Sequence, residues 1–313
     1  MYTLLLLGIL LFLAVLVKMY YRNKTGTSTP SGGTNVAPRY HLNSISLLSL
    51  STVQSFLTGN EICKLARTNR ASNRDLKAVA SVVWRYKPYR VSGNTTIDRF
   101  KQICTTHKFV SVRFLDGWVT RDDHLMCLVG HSSLTDLNLG HCGNITDNGL
   151  FHLRDLPLQH LVLSYCHKIS DTGLSYLQKL PLKHLGMRAM GNRFSGGGLA
   201  HLKGMPLGHL DLSWNFNRIS DDGLTHLKEL PLHHLDLNLC GDLSDTGLSH
   251  FEGLPLRYLA LQGAKITDTG LGHLEKMPLA HLDLTTCFKI GDTGLSHLAH
   301  LPSLQNLNLE RCW

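Results

Sequence analysis

Aromatic residues make up only 7% of the 313 residues, although 43% of the chain is apolar. A core so poor in rings must be built from leucine, which suits a stack of repeated units better than a jelly roll or a barrel. Eight cysteines are present, but no two sit two to four residues apart, so no metal-binding pair arises from spacing. The chain also lacks a P-loop, a nucleophile elbow and an HExxH helix. Without a catalytic constellation above the background, a non-enzymatic chain with no metal and no cofactor is expected. Nor does any aromatic-interleaved platform or finger spacing accompany its positive charge, which argues against nucleic acid as a partner. Charge of either sign is missing from residues 1–17, MYTLLLLGILLFLAVLV.

What is abundant is one phrase. Leu158 to Pro181 reads LQHLVLSYCHKISDTGLSYLQKLP, and variants begin at Leu134, Leu158, Leu182, Leu207, Leu232, Leu256, Leu279 and Leu304. The period is 24 residues with single-residue slips. Counting the first leucine as position one, positions one, four and six are apolar, as in Leu158, Leu161 and Leu163. Leu161 and Leu163 alternate with Val162 and Ser164, which predicts a short strand with leucines inward. Ser170 or Asp171 can cap a helix, Leu174 and Leu177 return an apolar face, and Pro181 ends the segment. Such self-similarity is the signature of a leucine-rich repeat solenoid, an α/β fold with parallel strands on the concave face and short helices on the convex one. Position nine carries Cys142, Cys166, Cys240, Cys287 and Cys312, but Met190, Asn215 and Ala264 in other copies. A site that accepts Met and Ala is a packed position for reduced thiols.

Charge is uneven. Between Lys18 and Lys108 there are fifteen Lys or Arg residues against Glu61, Asp75 and Asp98, a net +12; the remainder carries −4, recovering +8 overall. Residues 1–22 read as an N-terminal membrane anchor, because the basic flank follows the apolar run and would keep the bulk of the chain facing the cytosol. A cleaved signal peptide, the rival, would place charge before the run. Residues 23–39, rich in Gly, Ser, Thr and Pro, read as a flexible linker.

Residues 40–89 form a second informative stretch. In ISLLSLSTVQSFLTGNEICKLARTNRASNRDLKAVASVVW, three short apolar-periodic segments end in a tryptophan. This text resembles an F-box, with FLTGNEICKLARTNR similar to that family's central segment, although Ile45-Ser46 stands where the usual Leu-Pro opening would be. The resemblance implies a module that binds the Skp-type adaptor of a cullin ubiquitin ligase, followed by leucine-rich repeats that capture a substrate. Leu47, Leu48, Phe56, Leu57, Ile62 and Leu65 would then supply or support the adaptor surface. A plain helical cap on the first repeat is the alternative. Residues 90–133 read as a connector and a degenerate first repeat, and 134–313 as the repeats.

Outward strand positions decide what such a wall recognises. Position three gives His160, His184, His209, His234, Tyr258 and His281; position five gives Asp211, Asp236 and Asp283 among others. Histidine and aspartate in neighbouring copies invite a metal or pH-sensitive reading, but duplication of one ancestral phrase explains both columns. The candidate partner-binding residues are His209, Asp211, Trp214, Phe216, His234, Asp236, Asn238 and Leu239, with Tyr165 and Arg188 beside them, because aromatics and arginine anchor interfaces. Trp214 stands where other copies are usually small or polar; the alternative is that Trp214 and Phe216 fill a one-residue bulge. The Asp row at Asp147, Asp171, Asp221, Asp245, Asp268 and Asp292 reads as helix caps and the matching Gly row as a tight approach. The expected function is a protein–protein adaptor: a substrate receptor of a Skp–cullin–F-box ligase, or alternatively a scaffold without ubiquitin chemistry, or a secreted or surface recognition protein.

Overall fold

The computed structural model describes residues 88–312. Ten three- or four-residue strands form one parallel sheet in sequential order: β1 (Tyr89–Val91), β2 (Ser111–Phe114), β3 (Asp136–Asn138), β4 (His160–Val162), β5 (His184–Gly186), β6 (His209–Asp211), β7 (His234–Asp236), β8 (Tyr258–Ala260), β9 (His281–Asp283) and β10 (Asn306–Asn308). Register is fixed by the repeat, since Leu161 pairs with Leu185, Leu185 with Leu210, and Leu210 with Leu235. The inward leucine of each strand from Leu137 to Leu282 is at most 2% exposed. Each contributes about 1.5–3 kcal/mol through burial, which no single repeat could collect, because its inner face is covered only by its neighbours. The strand Tyr89–Val91 and the ten-residue helix Ile97–Thr106, capped by Thr96, add an element pair where the sequence shows no periodic signal.

Opposite the sheet, the helices are shorter than the apolar pattern predicts. In the second repeat, α-helix covers only Asp171–Ser175, and the chain continues through Leu177 and Leu180 in turns whose N–H groups reach back three residues. Leu174, Leu177 and Leu180 recur at a spacing of three, which aligns on one side only when the chain winds at three residues per turn. All three are buried. Pro181 therefore follows a tightened turn rather than stopping a long helix.

Aspartates and glycines of the repeats are parts of one device. Ser170 accepts from Thr172 N–H and so caps its own helix, whereas the Asp147 carboxylate of the preceding repeat receives Ser170 N–H at 2.8 Å and Ser170 O–H at 2.6 Å. The same relay joins Asp122 to Thr146, Asp171 to Ser195, Asp221 to Ser244 and Asp245 to Thr267. A cap expected to act within one repeat thus bolts two together. The relay also explains glycine: a Cβ on Gly173 would fall inside the radius of Asp147 Oδ1, and Gly149, Gly198, Gly247, Gly270 and Gly294 meet the equivalent oxygen. The relay breaks once. Gly196 replaces the aspartate, Ser220 lacks a side-chain cap bond, and a Cβ on Gly223 would strike Gly196 Cα. There the segment Gly196–Leu202 winds as 3-10 helix.

Among the described residues, no helix is long and apolar enough to cross a membrane. The longest has ten residues, about 15 Å at the α-helical rise, half the hydrocarbon thickness of a bilayer. This corrects the expectation of a membrane-anchored chain facing the cytosol; residues 1–22, from which it was drawn, lie outside the described residues. So do the F-box-like positions Leu47, Leu48, Phe56, Leu57, Ile62 and Leu65.

Replacing Asp147 with alanine should lower the unfolding free energy by about 1–3 kcal/mol, since it strips two charge-assisted bonds from Ser170. Asp292→Ala, at an exposed aspartate that makes no such bond, should stay within about 0.5 kcal/mol. Denaturant melts of the two variants read the difference.

Candidate functional site

The strand face opposite the helices carries three columns, and pairing of like positions creates each. In the first, His184, His209, His234 and Tyr258 are register neighbours. Their rings stack nearly parallel, with centroids 3.9 Å, 3.7 Å and 3.9 Å apart. Strands about 4.8 Å apart leave room for a flat ring per step and little more. At the ends of the stack, His160 and His281 are tilted and stand about 6 Å from their neighbours. His160 Nδ1 instead meets Asp136 at 3.0 Å.

Stacking and charge compete here, and stacking prevails. Burial lowers the pKa of His184, His209 and His234, and neighbouring imidazoles lower it further; His209 falls to about 4. The rings are therefore neutral near pH 7, each with one acceptor and one donor nitrogen. Asp211 and Asp236, side by side on β6 and β7, occupy the second column with Asp283 on β9. Burial, with help from Asp211 and Asp283, pushes Asp236 up to about 6. Neutral histidines give these carboxylates no countercharge.

A third column lies five residues after the first strand residue. His141, Tyr165, Ala189, Trp214, Leu239, Thr286 and Arg311 all have φ from 52° to 66°, and only Gly263 meets this left-handed turn without a Cβ. Because L-residues avoid that region, the turn is imposed by the chain leaving the strand in every repeat, and it throws large side chains onto the rim of the face.

The expected partner-binding residues are thereby only partly gathered. His209, His234, Asp211 and Asp236 form one patch. Arg188 lies over the Trp214 ring at 4.7 Å, and Trp214 meets Phe216 edge-on at 5.7 Å. Trp214 is 40% exposed and Phe216 53%, so the pair does not fill a bulge in the core. Arg188 Nε is a buried donor with no partner among the described residues. Asn238 is a brace: its Oδ1 accepts Gln262 N–H at 2.8 Å. Leu239 is half-buried in the left-handed turn beside Gly263. The Tyr165 ring stacks on His141 at 4.3 Å, and Tyr165 N–H donates to Arg188 O at 2.8 Å.

Sequence reasoning missed two features. Trp118 and Phe288 stand at the same turn position as Phe216 and are 84% and 65% exposed; counting seven residues from the first strand position finds all three. Position nine is also more than packing space. Cys166, Cys240 and Cys287 direct Sγ at a carbonyl of the previous repeat at 3.2–3.3 Å, and Asn215 makes the same contact through Nδ2 to Met187 O at 2.8 Å. All seven described cysteines are free. Among the described residues, no group of three or more His, Cys, Asp or Glu is placed to hold a metal ion.

A family model described as "Leucine Rich repeat" matches residues 130–153, 156–177 and 231–251. The chain thus carries leucine-rich repeats, in a solenoid-like α/β fold with ten parallel strands. No curated protein matches it. Among solved structures, it is similar to a chain from the yeast Rad7 and Elc1 complex, at 18% identity and TM-score 0.54, covering 85% of this chain and 81% of that one. Similarity to a chain from the TLR13–ssRNA13 complex is 20% identity and TM-score 0.51, over 71% of this chain and 32% of that one. At such identities the shared property is the fold, one suited to protein–protein interaction.

Two outcomes follow from the columns. Each lowered histidine binds its proton at a lower pH when folded, so its contribution is intact above 6.5 and is lost as pH falls below it, for His209 toward about 4. Asp236, raised to about 6, acts oppositely, protonating first in the folded chain. Three rings outweigh one carboxylate, so the melting temperature should fall across that window and His209→Gln should flatten the slope. Ala189→Gly, which relieves a left-handed alanine, should raise stability by about 0.5–1 kcal/mol in a denaturant melt.

Proposed function

We propose that the chain is a protein-binding adaptor of the F-box and leucine-rich-repeat type. Its repeats, residues 134–313, hold a protein substrate on the strand face, and residues 40–89 engage a Skp-type adaptor of a cullin ubiquitin ligase. The observation that carries the binding role is the strand face itself. Among the described residues, ten strands present a wall on which exposed Trp214 and Phe216, with half-buried Arg188, form an anchor beside the ring stack and the carboxylates. Interfaces draw most of their energy from such aromatic and arginine clusters. The F-box-like text supports the adaptor role, with Leu47, Leu48, Phe56, Leu57, Ile62 and Leu65 as its contact or support residues, joined to the N-terminal side by the linker 23–39. Similarity to the yeast chain agrees with a binding role, since that structure is of a complex between Rad7 and Elc1.

The test is co-expression of the full chain with a Skp-type adaptor. Co-purification is expected, abolished by Phe56→Asp with Leu57→Asp and untouched by Trp214→Ala. Absence of the adaptor from the wild-type complex would remove the ligase role and leave a protein-binding scaffold.

A further inference from the structure

The strand face is chemically lopsided. From β6 to β9 its outward strand residues are His209, Asp211, His234, Asp236, Tyr258, Ala260, His281 and Asp283, with neither lysine nor arginine. Each aspartate spends one oxygen on its own turn. Asp211 Oδ1 accepts Ser213 N–H and O–H at 2.9 Å and 2.6 Å, Asp236 Oδ1 accepts Asn238 N–H at 2.9 Å, and Asp283 Oδ1 accepts Thr285 N–H and O–H at 2.9 Å and 2.6 Å. The three Oδ2 atoms receive no hydrogen bond or ion pair among the described residues.

Beside them runs the neutral ring stack, whose imidazole nitrogens can accept a hydrogen bond as well as donate one. At the far end of the same wall lies a cavity of about 400 Å³, lined by Tyr258, His281, Asp283, Asn306 and Asn308, in which Asp283 is the one carboxylate. On the other flank Arg188 already lays its guanidinium on Trp214, so this surface accommodates that group in stacked form. The ring stack and the cavity suit a planar cation, and the three carboxylates repel an acidic group.

Resting on the strand-face reading above, we propose that the face from β6 to β9 recognises an extended, arginine-bearing segment of a partner protein. Its guanidinium groups pair with the free oxygens of Asp211, Asp236 and Asp283 and lie along the ring stack. Adjacent strands set Asp211 and Asp236 about 4.8 Å apart, and Asp283 lies two further strands on, about 10 Å from Asp236. A chain crossing the strands spans that gap in about three residues at 3.3 Å each, so two arginines separated by a short interval satisfy both ends. Guanidinium is preferred to ammonium because its planar fork meets a carboxylate and a neutral ring nitrogen together. Bound cations also offset the mutual repulsion of the three carboxylates.

Acid should oppose this binding. Asp236 faces Arg188 from the turn after β5, His209 and Asp211 from β6, His234 on its own strand, Tyr258 from β8 and Asp283 from β9. Its ionisation is lost as pH falls through about 6, and the rings gain charge lower still, so both changes weaken a cationic ligand.

Fluorescence anisotropy of the full-length chain with a labelled peptide of alternating serine and arginine tests the idea, alongside versions carrying citrulline or glutamate for arginine. The arginine peptide should bind, the other two should not, and affinity should drop as pH is lowered from 7 through 6. The double variant D236N/D283N keeps the turn acceptors and should melt like wild type, yet bind about tenfold more weakly or worse. D292N, on the helix side, should change nothing. Equal binding of the citrulline peptide, full affinity in D236N/D283N, or an equal loss in D292N would overturn the proposal. A photo-crosslinking residue substituted for Asn306, exposed on β10 of the same wall and outside the Trp214 anchor, reports docking on this face whatever its charge. Crosslinks without arginine-peptide binding would therefore refute the cationic class alone, and absence of both would refute the strand-face reading.

Discussion

Everything in this fold depends on one constraint: a repeat has no interior of its own and must lie in register on its neighbour. Parallel pairing at a step of about 4.8 Å then forces every position to become a column of like residues. At the inner positions the column is leucine, and the consequence is a continuous dry core from Leu137 to Leu282. At the helix start it is aspartate over serine or threonine, and the consequence is a relay of hydrogen bonds that locks adjacent turns. Glycine three residues into each helix is the space that the relay occupies, not a separate requirement.

The same constraint acts on the outer face, where it has a cost. Aspartates brought side by side repel, and this adds to the burial that pushes Asp236 up to about 6. Histidines brought side by side would repel too if charged, but imidazole has an alternative that carboxylate lacks near neutrality: it sheds the proton and stacks. Burial already disfavours the charged ring, so stacking at 3.7–3.9 Å comes with little further penalty. The face therefore carries its formal charge in the aspartate column, and the adjacent histidines do not cancel it.

The parts of the fold legible in the sequence are those that recur. Leucine spacing gives the strands, their register and the inner face, because recurrence every 24 residues is visible in the chain itself. Three matters were not legible, each for a physical reason. Whether Asp171 caps its own helix or the next repeat depends on a distance between turns. Neutrality of His209 depends on how closely two rings approach and how little water reaches them, and neither is written in HLDL. The left-handed turn is hidden because Ala, Tyr, Trp and Thr stand where glycine would advertise it, and only Gly263 does. Within the candidate site, two geometries were not legible: Asn238 braces the next repeat through Gln262 N–H, and the Tyr165 ring stacks on His141.

Identity between copies builds the wall, so information about a partner must lie where copies differ. The copies starting at Leu182 and Leu207 differ most. They hold Arg188, Trp214 and Phe216, they substitute Asn215 for cysteine in the carbonyl-bridging position, and between them the aspartate relay gives way to a contact of Gly196 with Gly223. The substitutions compensate one another. Asn215 makes three hydrogen bonds, to Met187 O, Leu212 O and Met190 N–H, where a thiol offers only a weak donor. Between these two turns Asn215 adds bonds on the strand side beneath Trp214, and on the helix side Gly196 N–H donates to Arg218 O at 2.8 Å in place of the relay. Where the copies differ, the same two turns therefore combine an exposed tryptophan on the strand side with a close glycine contact on the helix side.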